Sequence, residues 1–256
     1  MPRTLRDPVQ LGLDAAAVLA AGALAYTIGT QTLAGGLRVG VVKRGPRRAQ
    51  VSLTFDDGPD PEHTSRILDV LAASGVRAAF FMVGRQVASH PALARRVAAA
   101  GHDVGNHTFA HRHLWTLTPG ASIAAVDRGA EEIADAVGAA PHYFRPPWGT
   151  FNWAAYVRAG QLGETRVLWS VRSEGWVAAA SAARMTAHVV RAAHEGAIVN
   201  LHDRGGHPST PEATRHALPE MIAGLRARGF EVVPLRELLD PARRGDTRNP
   251  VLTPRV

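Results

Sequence analysis

The stretch that decides the fold of this chain is Val51-Ser52-Leu53-Thr54-Phe55-Asp56-Asp57-Gly58-Pro59. Its first five residues alternate in polarity and favour β structure, so they predict a strand that ends at Asp56. Gly58 and Pro59 then break the chain, which places two adjacent carboxylates at the mouth of a loop. Like charges repel, so Asp56 and Asp57 call for a nearby metal ion, an arginine or both. Taken alone, the tetrapeptide Asp56-Asp57-Gly58-Pro59 is also typical of a solvated turn.

Strands and helices alternate through the rest of the chain. The predicted strands are 78–83, 103–106, 143–145, 165–171, 197–201 and 231–233, and the predicted helices are 61–74, 91–100, 121–137, 153–159, 179–194 and 211–228. Repeated strand–helix units with apolar strands predict a parallel sheet, and six or seven of them close most easily as a barrel. A chain of 256 residues is long enough for this α/β fold, a TIM-like (β/α) barrel.

The chemically reactive side chains all follow predicted strand ends. In a (β/α) barrel that edge is the catalytic face, where residues far apart in sequence meet. This pattern predicts one shared site, which contains Asp56, Asp57, His107, Arg145 and His202.

His107 and His111 are spaced i and i+4, which places two imidazoles on one face of a helical turn. Two imidazoles and a carboxylate form a three-ligand set that leaves one position for water, as in catalytic zinc sites. The alternative is a pair of ordinary surface histidines, because the chain has 12. The chain has no cysteine, so disulfides and thiolate ligands are excluded.

Arg145 precedes the rigid segment Pro146-Pro147-Trp148-Gly149, from which a guanidinium can hold a carboxylate ionised. A surface arginine on a Pro-rich loop is the alternative. His202 ends an apolar strand, where it is either a core histidine or a general acid at a barrel mouth.

Residues 15–37 carry no charged side chain. They favour a signal peptide that ends near Ala23-Leu24-Ala25, or an uncleaved membrane anchor, over a helix of a soluble protein. Either favoured hypothesis predicts a secreted or membrane-anchored protein of the cell envelope. The basic residues that follow the segment outnumber the two arginines before it, and the positive-inside tendency then favours a cytoplasmic catalytic part. These residues are Arg38, Lys43, Arg44, Arg47 and Arg48.

The predicted organisation is a basic N-terminus (1–14), the apolar segment (15–37), a linker (38–49), a catalytic domain (50–240) and a flexible tail (241–256). The net charge is +7, but aromatic residues are only 6% and no basic run is interleaved with them. The sequence therefore predicts no nucleic-acid partner, and it predicts contact with a membrane through the N-terminal segment.

Five ordered segments together resemble the motifs of the polysaccharide deacetylase family, also called the NodB-type domain of carbohydrate esterase family 4. The resemblance covers roughly residues 50–240, and it implies a distorted (β/α) barrel and metal-dependent removal of N-acetyl groups from amino-sugar polymers. The segments are Thr54–Pro59, His107–His111, Arg145–Gly149, a degraded fourth motif at Trp169–Trp176, and Leu201-His202-Asp203.

The resemblance also implies a role for each matching residue. Asp57, His107 and His111 are the implied ligands of a divalent metal, with zinc as the default and cobalt or another ion as alternatives. Asp56 is the implied general base, Arg145 its orienting partner and His202 the general acid. The implied substrate is an acetylated glycan such as peptidoglycan, a chitin-like oligomer or an exopolysaccharide. Its implied contacts are the backbone N–H of Trp148 and the side chains of Trp176 and Leu201.

The fourth motif departs from the family pattern. Gly175 stands just before Trp176, where the family usually has a carboxylate that pairs with the catalytic histidine. A non-catalytic carbohydrate-binding homologue is therefore an alternative. An O-acetyl esterase on a glycan is a second, and the basic residues after position 37 add a third, an intracellular deacetylase of a small amino sugar or glycolipid. Arg172 and Arg204 favour an anionic substrate if they lie at the mouth of the barrel.

Overall fold

The computed structural model describes residues 8–37, 39–173, 181–205 and 210–240. Its sheet contains nine strands, and all the ladders between them are parallel. They are β1 (Val41–Val42), β2 (Gln50–Asp56), β3 (Ala79–Met82), β4 (Asp103–Asn106), β5 (Tyr143–Phe144), β6 (Thr165–Val167), β7 (Val171–Arg172), β8 (Ala197–His202) and β9 (Glu231–Val232).

The sheet curls into a distorted barrel. Its strand order is β1-β6-β5-β4-β3-β2-β8-β7, and β9 pairs with the start of β2. The segment 168–170 connects β6, near one end of this order, to β7 at the other end. The predicted α/β barrel is confirmed. The carboxyl ends of β2, β4, β5 and β8 therefore lie at one edge of the barrel.

Most of the helices cover the outer face of the sheet, whereas residues 13–24 of the first one are exposed. The helices are α1 (Pro8–Leu24), α2 (His63–Ala73), α3 (Gly84–Ser89), α4 (Pro91–Ala99), α5 (Pro119–Val137), α6 (Trp153–Gln161), α7 (Ala182–Ala192), α8 (Thr210–Ala227) and α9 (Leu235–Leu238). Thr118 caps the start of α5 by accepting a hydrogen bond from the backbone of Ala121, and Gly138 ends that helix with φ at 81°.

Strand β2 is fully buried and has two chemically distinct faces. Leu53 and Phe55 belong to the large apolar cluster between sheet and helices. Thr54 and Asp56 alternate with them and face the barrel interior, because successive side chains of a strand point to opposite sides. The periodicity that makes the core thus also delivers a carboxylate to the interior.

The predicted strand 165–171 is wrong as a single element, because the structure divides it into β6 and β7. The side chain of Arg145 donates hydrogen bonds to the carbonyl oxygens of Val167 and Leu168, at 3.4 and 3.3 Å. These carbonyls bind a guanidinium instead of a neighbouring strand, so the ladder ends here. Helix α3 is a second difference, since no helix was expected between β3 and α4.

The N-terminal segment is helical as far as Gly36, because α1 continues into wider π-helical turns at Ala25–Gly29 and Thr32–Gly36. One described helical stretch, Leu13–Ala34, is long and apolar enough to cross a membrane. The mean hydropathy of its most apolar 18 residues is 1.4, and only 6% of these residues are buried. The residues after it, expected as a linker, contribute β1 to the sheet.

Candidate active site

A cleft of about 620 Å³ opens at the carboxyl edge of the barrel. It collects most of the residues that the sequence singled out, although they come from segments up to 148 positions apart, from Asp56 to Arg204. Its lining includes Asp56, Asp57, His107, His111, Trp148, Arg172, Asn200, His202 and Arg204.

Three side chains in this cleft form a compact group. One ligand atom from each of Asp57, His107 and His111 lies within 4.8 Å of the others. Asp57 Oδ1 is 3.4 Å from Nε2 of His107 and 3.0 Å from Nε2 of His111. Asp57 has φ at 81° and His111 has φ at 49°, conformations that few non-glycine residues adopt and that turn both side chains into the cleft.

The group fits a divalent cation. Nδ1 of His107 lies 2.6 Å from the carbonyl oxygen of Arg145, so it carries the proton and leaves the Nε2 lone pair facing Asp57. Asp57 Oδ1 is buried and has no hydrogen-bond donor within the described residues. Burial raises the pKa of Asp57, but hydrogen bonds and charge from the two histidines in their protonated form lower it more, so the net pKa lies well below its usual range. An ionised carboxylate and imidazole lone pairs converging on one point are the donor set that Zn²⁺ and similar ions bind.

The side chain of Asn106 fixes the loop that carries the two histidines. Its side-chain oxygen accepts the backbone N–H of Thr108 at 2.9 Å. Its amide donates to the carbonyl oxygen of Val126 at 2.9 Å and to the carboxyl of Glu164 at 3.1 Å. Burial raises the pKa of Glu164 to about 8, against the hydrogen bond from Asn106. Sequence analysis missed Glu164, because a glutamate after Gly163 is typical of a solvated loop.

Asp56 is held from two sides. Its Oδ1 accepts a hydrogen bond from the guanidinium of Arg145 at 2.6 Å, and its Oδ2 accepts one from the side-chain amide of Asn200 at 2.8 Å. Arg145 is completely buried, and its guanidinium also donates to Thr54 Oγ1 at 2.8 Å. The Cζ atom of this guanidinium lies 3.9 Å from the ring centroid of Phe81. Burial lowers the pKa of this guanidinium, and the charge of Asp56 opposes that shift. The carboxylate is therefore held in place beside a buried guanidinium, in a largely dry position.

Asn200 is a site residue that the sequence analysis missed. The available clue was its polarity within the otherwise apolar strand Ala197–Leu201, two positions before His202. Residues two apart share a strand face, so Asn200 and His202 both lie on the cleft side.

Leu201, implied as part of the acetyl pocket, lies on the other face of β8. It is fully buried in the cluster between sheet and helices, because it alternates with Asn200 and His202. The structure thus corrects this expectation, since the side chain at this end of β8 that lines the cleft beside His202 is Asn200.

His202 sits beside Asp56, since the register of β2 and β8 pairs the two residues. The next residue, Asp203, is buried and accepts hydrogen bonds from the backbone of Gly58 and the hydroxyl of Thr64, at 3.1 and 2.5 Å. Burial, with a smaller contribution from the charge of Asp57, raises the pKa of Asp203 to about 7 against the hydrogen bond from Thr64. Asp203 therefore fixes the turn that carries the two aspartates.

Trp148 covers one side of the metal-ligand group. Its ring centroid lies 4.4 Å from that of His111 and 5.2 Å from that of His113, and 53% of the residue is exposed. Its backbone has φ at 55°. Trp176, the other predicted aromatic contact, and Glu174 and Gly175 of the fourth motif lie outside the described residues.

The comparisons with known proteins agree with this geometry. The model of the polysaccharide deacetylase family matches residues 43–167. The chitooligosaccharide deacetylase of Bradyrhizobium sp. (strain ANU 289) is 37% identical over 199 residues, which cover 73% of this chain and 90% of that protein. The chain belongs to the polysaccharide deacetylase family. This membership confirms the resemblance inferred from the five motifs.

Two crystal structures place this polysaccharide deacetylase family member among its relatives. A peptidoglycan N-acetylglucosamine deacetylase, solved with a bound naphthalenyl N-hydroxybenzamide, superimposes with a TM-score of 0.75 at 30% identity, covering 82% of this chain and 97% of that one. A family 4 pseudoenzyme from Bacillus anthracis gives a TM-score of 0.71 at 29% identity, covering 78% and 69%. The barrel is thus shared by an enzyme and by a pseudoenzyme, so activity has to be argued from the site.

Proposed function

We propose that this chain is a metal-dependent hydrolase that removes N-acetyl groups from an amino-sugar glycan and releases acetate. The observation that carries the proposal is the arrangement of two functional groups in one cleft. The group of Asp57, His107 and His111 can hold a divalent ion, and the neighbouring Asp56 is fixed by Arg145 and Asn200. A three-ligand metal site beside a held carboxylate is suited to the attack of water on an amide.

The proposed reaction needs a bound divalent metal ion in addition to the side chains of the site. Asp57, His107 and His111 would hold it, and the absence of cysteine leaves carboxylate and imidazole as ligands. Zn²⁺ is the ion proposed, with Co²⁺ or another divalent ion as a substitute. When bound, such an ion lowers the pKa of water and polarises a carbonyl group.

The residues of the chain account for the proton transfers. Asp56 takes the proton from the attacking water as general base, and its two hydrogen bonds keep it aimed into the cleft. His202, across the β2–β8 ladder from Asp56, protonates the departing sugar nitrogen. The backbone N–H of Trp148 is the proposed donor to the developing oxyanion. The C–N bond breaks, and acetate and a free amine leave.

The rim of the cleft favours a glycan that carries negative charge. Arg85, Arg172 and Arg204 line it together with the reactive group. Arg204 lies 3.7 Å from Asp60 and is 42% exposed in its side chain, while Arg85 and Arg172 are exposed. Cationic side chains around a cleft raise the local concentration of anionic substrates. Peptidoglycan, which carries carboxylates, is therefore the preferred candidate over neutral chitin-like oligomers.

The proposed location is the cell envelope, with the apolar helix as a membrane-directing segment. The stretch Leu13–Ala34 supports this by its length and composition, and the residues Leu13, Val18, Leu19 and Leu24 are exposed. Fractionation of a tagged full-length protein tests it, and a wholly soluble cytoplasmic protein would overturn it.

Acetate release tests the function directly. The chelated full-length protein is incubated with N-acetylglucosamine oligomers and with peptidoglycan, with Zn²⁺ or Co²⁺ added back. The Asp56→Asn variant is run in parallel, because it keeps the shape of the base and removes its charge. Release that depends on metal and disappears in Asp56→Asn supports the proposal.

Two outcomes would favour other functions. Release of acetate only from an O-acetylated glycan would identify an esterase. No release from any of these glycans, with stoichiometric metal bound and glycan retained, would identify a carbohydrate-binding homologue. The replacement of the fourth-motif carboxylate by Gly175 is the observation that motivates this second candidate.

A further inference from the structure

The end of the N-terminal helix contacts the loop that carries Trp148. The side-chain amide of Gln31 donates to the carbonyl oxygen of Gly149 at 3.2 Å, and its oxygen accepts the backbone N–H of Phe151 at 2.9 Å. One side chain thus satisfies a donor and an acceptor on the same loop, 118 and 120 positions away in sequence. This two-point contact resembles the pairing that a neighbouring strand would make.

The loop needs such support because two of its residues have unusual backbone conformations. Trp148 and Gly149 have φ at 55° and 69°, and a bulky side chain is rarely found in this region. On the far side, the amide of Asn152 donates to the carbonyl oxygen of Leu114 and the hydroxyl of Ser122, both at 2.7 Å. Gln31 holds the near side, between Trp148 and that anchor.

The contact continues along the helix end. Ala34 is fully buried in the apolar cluster that contains Phe144 and Phe151, and the hydroxyl of Tyr26 accepts the backbone N–H of Ala154 at 3.2 Å. These three contacts fix the helix end on the domain. Tyr26, Gln31 and Ala34 all follow the predicted cleavage point after Ala25, so the contact belongs to the mature protein whether or not the segment is cut.

We propose that Gln31 is a positioning residue for the reaction, which clamps the loop so that Trp148 is held against His111 at the metal-ligand group. This inference rests on the proposed deacetylase function for its kinetic consequence. Loss of the clamp lets the loop relax, which moves the Trp148 N–H away from the developing oxyanion. The three metal-binding side chains lie on other segments and keep their positions.

The test uses the full-length Gln31→Ala protein. We expect kcat for acetate release to fall about tenfold, since two hydrogen bonds that fix the loop are lost. KM and the dissociation constant for Zn²⁺ should change by less than about threefold. Amide hydrogen exchange within residues 147–152 should become faster, because the N–H of Phe151 loses its acceptor.

Two variants separate the clamp from general docking of the helix. Tyr26→Phe removes a contact of the same helix that does not involve the loop, and it should keep kcat and loop protection near wild type. Gln31→Glu keeps an oxygen that accepts the N–H of Phe151, but it replaces the N–H donor to Gly149 with an oxygen that the carbonyl repels. Its kcat should therefore lie between those of wild type and Gln31→Ala.

Wild-type kcat and unchanged exchange in Gln31→Ala would overturn the inference, as would equal losses in Tyr26→Phe. If the wild-type protein releases no acetate, the proposed function fails. The exchange measurement then still decides whether Gln31 holds the loop.

Discussion

The side-chain amide of Asn200 donates a 2.8 Å hydrogen bond to Oδ2 of Asp56. The carboxylate therefore has two different partners, a guanidinium on one oxygen and a neutral amide on the other. The guanidinium supplies charge and the amide fixes the rotation of the carboxylate. This leaves the remaining lone pairs of Asp56 aimed at the cleft.

Replacing Asn200 by Ala should lower kcat about tenfold with little change in KM, because a hydrogen bond to a charged group is lost and the base turns more freely. Steady-state acetate release measures this. Ser52→Ala is a matched control, since Ser52 is a buried polar residue of β2 whose hydroxyl has no partner within the described chain. Equal kcat in Asn200→Ala and wild type would contradict the role.

Arg145→Lys should reduce both activity and stability. A lysine keeps the charge but cannot bind Asp56, Thr54 and the carbonyls of Val167 and Leu168 together. Removing one partner of a buried ion pair lowers the free energy of unfolding by about 3–5 kcal/mol. Because lysine keeps the positive charge, we expect a smaller loss, seen as a fall in Tm of several degrees. Calorimetry and acetate release measure the two effects, and Arg66→Lys, at an exposed ion pair, is the control.

Zinc should stabilise the folded protein through Asp57. Saturation at about one hundred times the dissociation constant adds about 2.7 kcal/mol, which is a rise of about 5–10 °C in Tm. Asp57→Asn should lose this rise, and asparagine tolerates the positive φ at this position. His142→Ala, which changes an exposed histidine outside the group, should keep it. A zinc-dependent rise that persists in Asp57→Asn would place the ion elsewhere.

The stability of the fold should decrease as pH rises from about 5 to about 8, in part through Glu164. Its pKa in the folded protein is about 8, against an ordinary value of 4.5, so the folded protein keeps a proton that the unfolded chain has released. Glu164→Gln keeps an acceptor for Asn106 without the ionisation. Its Tm should therefore fall by about 5 °C less than that of wild type between these pH values. Parallel slopes for the two proteins would show that Glu164 is ionised in the fold.

Much of the fold and the site follows from local patterns. The alternation of β2 predicts both the core residue Phe55 and the interior carboxylate Asp56, and a turn after each apolar strand predicts where the reactive side chains gather. Applied to β8, the same alternation would have preferred Asn200 over Leu201 for the cleft. The expectation for Leu201 rested on its position in the motif, which does not specify the strand face on which a side chain lies.

Other features depend on contacts between distant segments, which no local pattern contains. The division of residues 165–171 into β6 and β7 follows from a guanidinium that belongs to β5's carboxyl end. The buried state of Glu164 depends on Asn106, 58 positions earlier. The clamp by Gln31 is of the same kind, because a glutamine in an apolar stretch predicts neither its loop nor its two hydrogen bonds.

The contact between the N-terminal helix end and the domain limits how far the cleft can lie from the membrane. Helix α1 has 17 residues before the turns that contact the domain, a length of about 26 Å, and in the described chain its helical backbone continues directly into those turns. The hydrocarbon core of a bilayer is about 30 Å thick. An inserted helix of this length would bring the domain down onto the lipid headgroups and hold it there. The enzyme would then be restricted to glycan strands within about one domain diameter of the membrane, and would not sample the full depth of the wall.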